Sequence, residues 1–168
     1  SLTNASDGRA LRREEDLRRL LTEAAENGVA VHALRGDAGM FLPGKHAERA
    51  AGDLAAILAF NLRQPPDARF AGLHYDVEPH TLPQWKEGGD SRAQVMRAYL
   101  DFLATARKTI SAQAANNPFL LTADLSTSWG KDEMQVEWGN ESAPFGRHVL
   151  GLLDWGIVMA YSRSEEKI

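Results

Sequence analysis

The chain has 168 residues, 43% hydrophobic and 25% charged, with a formal net charge of −4 and no cysteine. Such a composition suits one globular domain. It excludes a disulfide scaffold and thiolate chemistry, offers no basic stripe for nucleic acid, and contains no apolar run of membrane-spanning length.

The opening Ser1-Leu2-Thr3-Asn4 carries no signal-peptide pattern, and the compartment stays open. Leu17, Leu20, Leu21 and Ala24 recur at helical spacing and predict a helix over 9–26, ended by Asn27-Gly28. A short buried strand is expected over 29–34, then a Gly-containing loop over 35–45. Ala51, Leu54, Ala55, Leu58 and Leu62 mark a second helix over 46–62, broken by Gln64-Pro65-Pro66-Asp67. The second strand is expected over 70–77, closed by Glu78-Pro79. Residues 81–90 read as a loop. Ser91-Arg92-Ala93-Gln94 has capping-box spacing and opens a helix to about residue 115. A third strand follows over 119–125, then a long loop with Trp129 and Trp138, a short helix over 146–153 and a fourth strand over 156–161.

Helix and strand alternate throughout, which implies parallel strands joined by right-handed crossovers. A doubly wound open sheet and a closed (β/α)8 barrel both satisfy that order. No Gly-rich phosphate loop follows a strand, which argues against nucleotide-binding open sheets. A complete barrel needs about 250 residues, so the expectation is one partial (β/α)8-barrel domain over 1–168, with about four parallel strands and flanking helices.

The second strand carries the chemistry. Ala71, Leu73, Tyr75 and Val77 share one face, and Gly72, His74, Asp76 and Glu78 share the other. Ionisable groups in a row on a buried strand are costly unless paired or hydrated, and in a barrel this face leads to the C-terminal mouth, where active sites lie. Two neighbouring carboxylates repel one another as anions, which favours a shared proton. A protonated Glu78 could then donate to a glycosidic oxygen. The plainer alternative is a salt-bridged trio of core residues with Arg35 as partner.

The run Gly72-Leu73-His74-Tyr75-Asp76-Val77-Glu78 resembles the fourth-strand motif of glycoside hydrolase family 18, the chitinases, which reads Asp-Gly-x-Asp-x-Asp-x-Glu. The resemblance implies that Glu78 is the general acid and Asp76 the assisting Asp, while Ala71 and His74 depart from the pattern. Met159 and Tyr161 match that family's sixth-strand Met-x-Tyr-Asp, with Ser162 in place of the Asp. The resemblance implies that Tyr161 assists the attacking group, and that the chain holds the third to sixth barrel strands without the other four. The runs 31–37 and 76–79 also resemble a set of uncharacterised bacterial barrel proteins related to glycosidases.

Further candidates come from the other strands and loops. Asp124, on the inward face with Thr122 and Ser126, offers a second carboxylate, an acceptor for substrate or a structural hydrogen bond. Trp85, Trp129 and Trp138 fall in loops at the mouth, where indoles either stack on sugar rings or anchor the loop. Glu133 and Glu137 read as solvated. His74 and Met159 complete the expected substrate-contacting set. No cofactor is expected. The expected partner is a carbohydrate, without membrane or nucleic acid, and the open barrel edges favour self-association. The rival functions are a non-catalytic carbohydrate-binding barrel and a metal-dependent hydrolase using His32, His74, Asp76 and Glu78.

Overall fold

A computed structural model describes residues 11–114 and 117–160. In chain order the main elements are α1 (Glu14–Glu26), β1 (His32–Arg35), α2 (Lys45–Arg63), β2 (Gly72–Tyr75), α3 (Pro83–Glu87), α4 (Gly89–Gln113), β3 (Leu120–Ser126), β4 (Gln135–Trp138), β5 (Glu141–Pro144), α5 (Phe145–Leu152) and β6 (Trp155–Met159). β1, β2, β3 and β6 form one parallel sheet in that spatial order, and β4 and β5 form a separate antiparallel hairpin. The protein is thus a mixed α/β structure with a four-stranded parallel sheet and flanking helices. Among the described residues, successive strands of the parallel sheet lie side by side, with no switch point between them. Among the described residues, no helix is long and apolar enough to cross a membrane.

The apolar pattern explains the layers. Leu73, Tyr75, Val77, Leu121, Ala123 and Leu125 point to one side of the sheet and are buried. They join Ile57 and Phe60 of α2 and Leu100 and Leu103 of α4 in a single core cluster. α1 ends as its sequence suggests: Gly28 takes φ +71, and the amides of Gly28 and Val29 return to the carbonyls of Ala25 and Ala24. α2 stops at Arg63 before the two prolines.

Four expectations need correction. The 81–90 loop contains the short helix α3, started by Pro83 at its first position. Ser91 does not cap α4, which begins at Gly89; its hydroxyl instead donates to Glu87 Oε2 at 2.6 Å. The long loop contains the β4–β5 hairpin, turned by Gly139-Asn140 with Gly139 at φ +61. The strands of the parallel sheet are also displaced or shortened relative to the apolar runs, because ladder pairing rather than hydrophobicity ends them: β1 runs 32–35 and β2 only 72–75.

One buried side chain fixes the entry to β2. Asn61 of α2 donates to the Phe70 carbonyl at 2.8 Å and accepts from the Phe70 amide at 3.0 Å. Asn61→Ala should leave both backbone groups unpaired and lower stability by about 2 to 4 kcal/mol. Asn61→Asp keeps the acceptor and loses the donor, so it should fall between. Denaturant melts of the three proteins test this, and an Asn61→Ala midpoint equal to wild type would refute it.

Candidate active site at the carboxyl ends of the parallel strands

The side of the sheet opposite the core carries the polar residues. Beyond the ends of the strands lies a cleft of about 560 Å³, lined by Gly36, Asp37, Ala38, Asp76, Glu78, Asp124 and the 157–159 stretch of β6. Each wall comes from a different strand end. The Asp76 amide donates to the Arg35 carbonyl at 2.9 Å, which carries the β1–β2 ladder one step beyond β2. Gly36 is required there: a Cβ on it would sit 2.6 Å from the Asp76 carbonyl oxygen. Asp37 folds its carboxylate onto its own loop, accepting from the Gly39 amide at 2.9 Å. Four carboxylates therefore line one cleft, and none of the lining residues is basic.

Below the cleft runs a connected set of polar groups. In the β2–β3 register His74 stands beside Thr122. His74 Nδ1 lies 2.8 Å from Thr122 Oγ1, and its Nε2 lies 3.2 Å from Asp124 Oδ2. Thr122 Oγ1 is also 3.5 Å from His32 Nδ1 and 3.4 Å from the Leu73 carbonyl. The His32 ring occupies space that Gly72 leaves open, since a Cβ on Gly72 would come within 2.9 Å of that ring. The Trp155 indole lies 5.7 Å from the His32 ring and 6.4 Å from the His74 ring, centroid to centroid. Burial, reinforced by the neighbouring His74, lowers the pKa of His32 and favours its neutral form.

The carboxylates are not neutralised by Arg35. That residue turns to the helix side and pairs with the buried Asp53 of α2 at 2.7 Å. Burial pushes the phenols of Tyr75 and Tyr99 well above the usual tyrosine range, so neither supplies a base to the cleft.

The expected site residues divide into three groups. Glu78, Asp76, Asp124 and Met159 come together on the cleft wall. His74 lies beneath it, with both ring nitrogens taken by Thr122 and Asp124 rather than turned to the cleft or to Asp76. Trp85 and Trp129 are corrected: both are buried and pack edge-on against Phe145 at 5.6 and 5.0 Å. Their ring faces are covered by protein, so they anchor the loops instead of stacking on a ligand. Trp138 is likewise engaged, its Nε1 donating to Asp101 Oδ1 at 2.8 Å. Tyr161 and Ser162 lie outside the described residues.

Sequence reasoning underused two features. The cleft wall at Asp37 follows directly from its position two residues after β1. The His32–Thr122 contact depends on Gly72, whose missing side chain was the available signal. Among the described residues, no group of three His, Cys, Asp or Glu side chains is placed to hold a metal ion. No family model, curated protein or solved structure matches the chain.

The lowered His32 value has a consequence for stability. Its unfolded reference is 6.5 and its folded value lies below that, so the unfolded chain binds the extra proton. Stability from this group is complete above pH 6.5 and declines as pH falls through that value. His32→Gln should flatten this part of the stability–pH curve. Chemical melts between pH 5 and 8 check it, and an unchanged slope would remove His32 as the cause.

Proposed function

We propose that the four strands are part of a (β/α)8 barrel wall and that the cleft hydrolyses a glycosidic bond by carboxylate acid/base catalysis. The observation that carries this reading is the convergence of Asp37, Asp76, Glu78 and Asp124 on one cleft at the carboxyl ends of parallel strands, without a basic residue in its lining. Such ends are where barrel enzymes keep their chemistry. Paired carboxylates serve glycoside hydrolysis in both its stereochemical forms. In this reading Glu78 donates a proton to the leaving oxygen. Asp76, two residues earlier on the same face, orients the substrate, and the anionic lining stabilises positive charge developing at the anomeric carbon.

Two further facts support the barrel part. The strand order is sequential, β1-β2-β3-β6. Leu34, Trp155 and Ile157 lie on the polar side of the sheet and are roughly half exposed, as side chains facing another wall would be.

A metal-dependent hydrolase is less well supported, because both nitrogens of His74 already have protein partners. A purely sugar-binding barrel would want an exposed aromatic platform in the cleft; Trp85 and Trp129 are buried, and the half-exposed Trp155 is not among the cleft-lining residues.

Glu78→Gln preserves shape and removes the transferable proton, so turnover should fall by about 10² to 10⁴-fold with binding retained. Asp76→Asn should also slow turnover and should change the pH profile. A panel of aryl glycosides, assayed with wild type and both variants, decides the matter. Near-normal turnover by Glu78→Gln on a substrate with a poor leaving group would overturn the assignment, as would inertness of the wild type across the panel.

The exposed apolar side chains and the unpaired outer edges of β1 and β6 among the described residues should also drive association of the 168-residue chain. Light scattering after size exclusion should show mass rising with concentration. A monodisperse monomer with a sharp cooperative melt would contradict this.

A further inference from the structure

We propose that His32, Thr122, His74 and Asp124 form a directed proton relay that runs across the polar side of the sheet and ends in the cleft, where Asp124 serves as a second proton-transfer group facing Glu78. The use of the delivered proton rests on the glycosidase reading; the relay itself stands on hydrogen-bond geometry.

The direction follows from donor and acceptor inventory. Asp124, as a carboxylate, only accepts, so His74 must donate to it through Nε2–H across 3.2 Å. A neutral His74 then has a bare Nδ1, which accepts the Thr122 hydroxyl proton across 2.8 Å. The Thr122 hydroxyl has two acceptors in reach, His74 Nδ1 at 2.8 Å and the Leu73 carbonyl at 3.4 Å, and the relay places its one proton on the nearer. Its oxygen can therefore only accept from His32, which must carry its proton on Nδ1 at 3.5 Å. The lowered His32 pKa is consistent with a neutral ring. With His74 neutral and the Thr122 proton on its nearer acceptor, the result is unusual: His32 is held in the Nδ1–H form, whereas a free neutral imidazole prefers Nε2–H.

The surroundings suit this use. Thr122 is fully buried, so its hydroxyl has no competing bulk water. Leu34 stands next to His74 in the β1–β2 register, Ile157 stands next to Asp124 in the β3–β6 register, and the Trp155 ring lies close to both imidazoles. Continued by one pleat, the β2–β3 register sets Asp76 beside Asp124. The charged groups around the relay are thus Asp76, Glu78 and Asp37 at the cleft end, and none of the cleft-lining residues is cationic.

Transfer balances as follows. A solvent hydronium ion gives a proton to His32 Nε2 and departs as water, and the resulting imidazolium passes its Nδ1 proton to Thr122 Oγ1 as Thr122 releases its own. Thr122 passes its own proton to His74 Nδ1, and His74 passes its Nε2 proton to Asp124. One proton enters at His32 and one appears on Asp124. His32 is left as Nε2–H and His74 as Nδ1–H, and the reverse sequence resets both. Asp124 acts in the cleft, while His32, Thr122 and His74 are positioning and relay residues.

Histidine-labelled protein and nitrogen NMR near neutral pH test the relay without any substrate. The expected result is Nε2–H for His74 and Nδ1–H for His32. Thr122→Val keeps the side-chain shape and should return His32 to Nε2–H, while Thr122→Ser keeps the hydroxyl and should restore the wild-type pattern. His32 as Nε2–H in the wild type, His74 charged at neutral pH, or an unchanged pattern in Thr122→Val would each overturn the relay. On a glycoside that the wild type turns over, Thr122→Val should lower turnover by about 10²-fold and alter the pH profile, with Thr122→Ser rescuing both. If Glu78→Gln abolishes turnover and Thr122→Val leaves the pH profile intact, the relay fails and the glycosidase reading stands. If no glycoside is hydrolysed, the tautomer pattern alone still decides the relay.

Discussion

The parallel register of β2 against β3 is the constraint on which the site depends. It sets His74 beside Thr122 and places their neighbours Tyr75 and Ala123 together on the core side. Side chains alternate strictly along a strand, so a slip of one residue would send His74 into the core and Tyr75 out of it. The core makes that slip prohibitive: Leu73, Tyr75 and Val77 are essentially fully buried. The apolar face thus does more than stabilise the sheet. It fixes which polar atoms face one another on the other side, to within hydrogen-bond distance. Site geometry here is a consequence of packing on the opposite face of the sheet.

The same reasoning explains what could be read directly from the residues. Alternation in 71–78 identified both faces of β2 because a two-residue period leaves little ambiguity when one face is apolar and the other ionisable. The helical stripes of α1 and α2 were legible for a similar reason. The loops were less so. Trp85 and Trp129 stand in segments that look like mouth loops, and nothing local distinguishes an exposed indole from an anchoring one. Both pack against Phe145 and His80, and Trp129 also against Tyr99, and none of these partners is a sequence neighbour of both indoles. The β4–β5 hairpin reads as part of a long loop, because its signal, the alternation of 135–138 followed by Gly139-Asn140, is carried by strands of only four residues. Pairing partners were the least legible feature. Arg35 stands one pleat from the carboxylates along the sheet, yet finds Asp53 because strand alternation sends it to the helix side.

Rigidity around the cleft is uneven in a way that suits its contents. Asp76 is gripped by backbone: its amide is bonded to Arg35, and Gly36 presses close to its carbonyl. Asp124 is held through its side chain by His74. Glu78 has Thr81 tied to its carbonyl, with the Thr81 hydroxyl at 2.8 Å and amide at 3.0 Å, so its main chain is fixed by a tight turn. Beneath these three, the aromatic cluster of Trp85, Trp129, Tyr99 and Phe145 supports the loops that follow β2 and β3. Preorganisation of this kind lowers the reorganisation that accompanies charge development.

The electrostatics of the cleft narrow its chemistry further. Four carboxylates face one space without a basic residue in its lining, so a phosphorylated or carboxylated substrate would meet repulsion on every wall. A neutral substrate that becomes cationic on the way to its transition state experiences the opposite field, weak in the ground state and attractive as positive charge grows. That difference between ground and transition state is the only kind of binding that accelerates a reaction. An acidic cleft built on apolar strands is costly to fold, and on the proposed glycosidase reading that cost is offset where bond cleavage leaves positive charge on carbon and a proton must reach the departing oxygen.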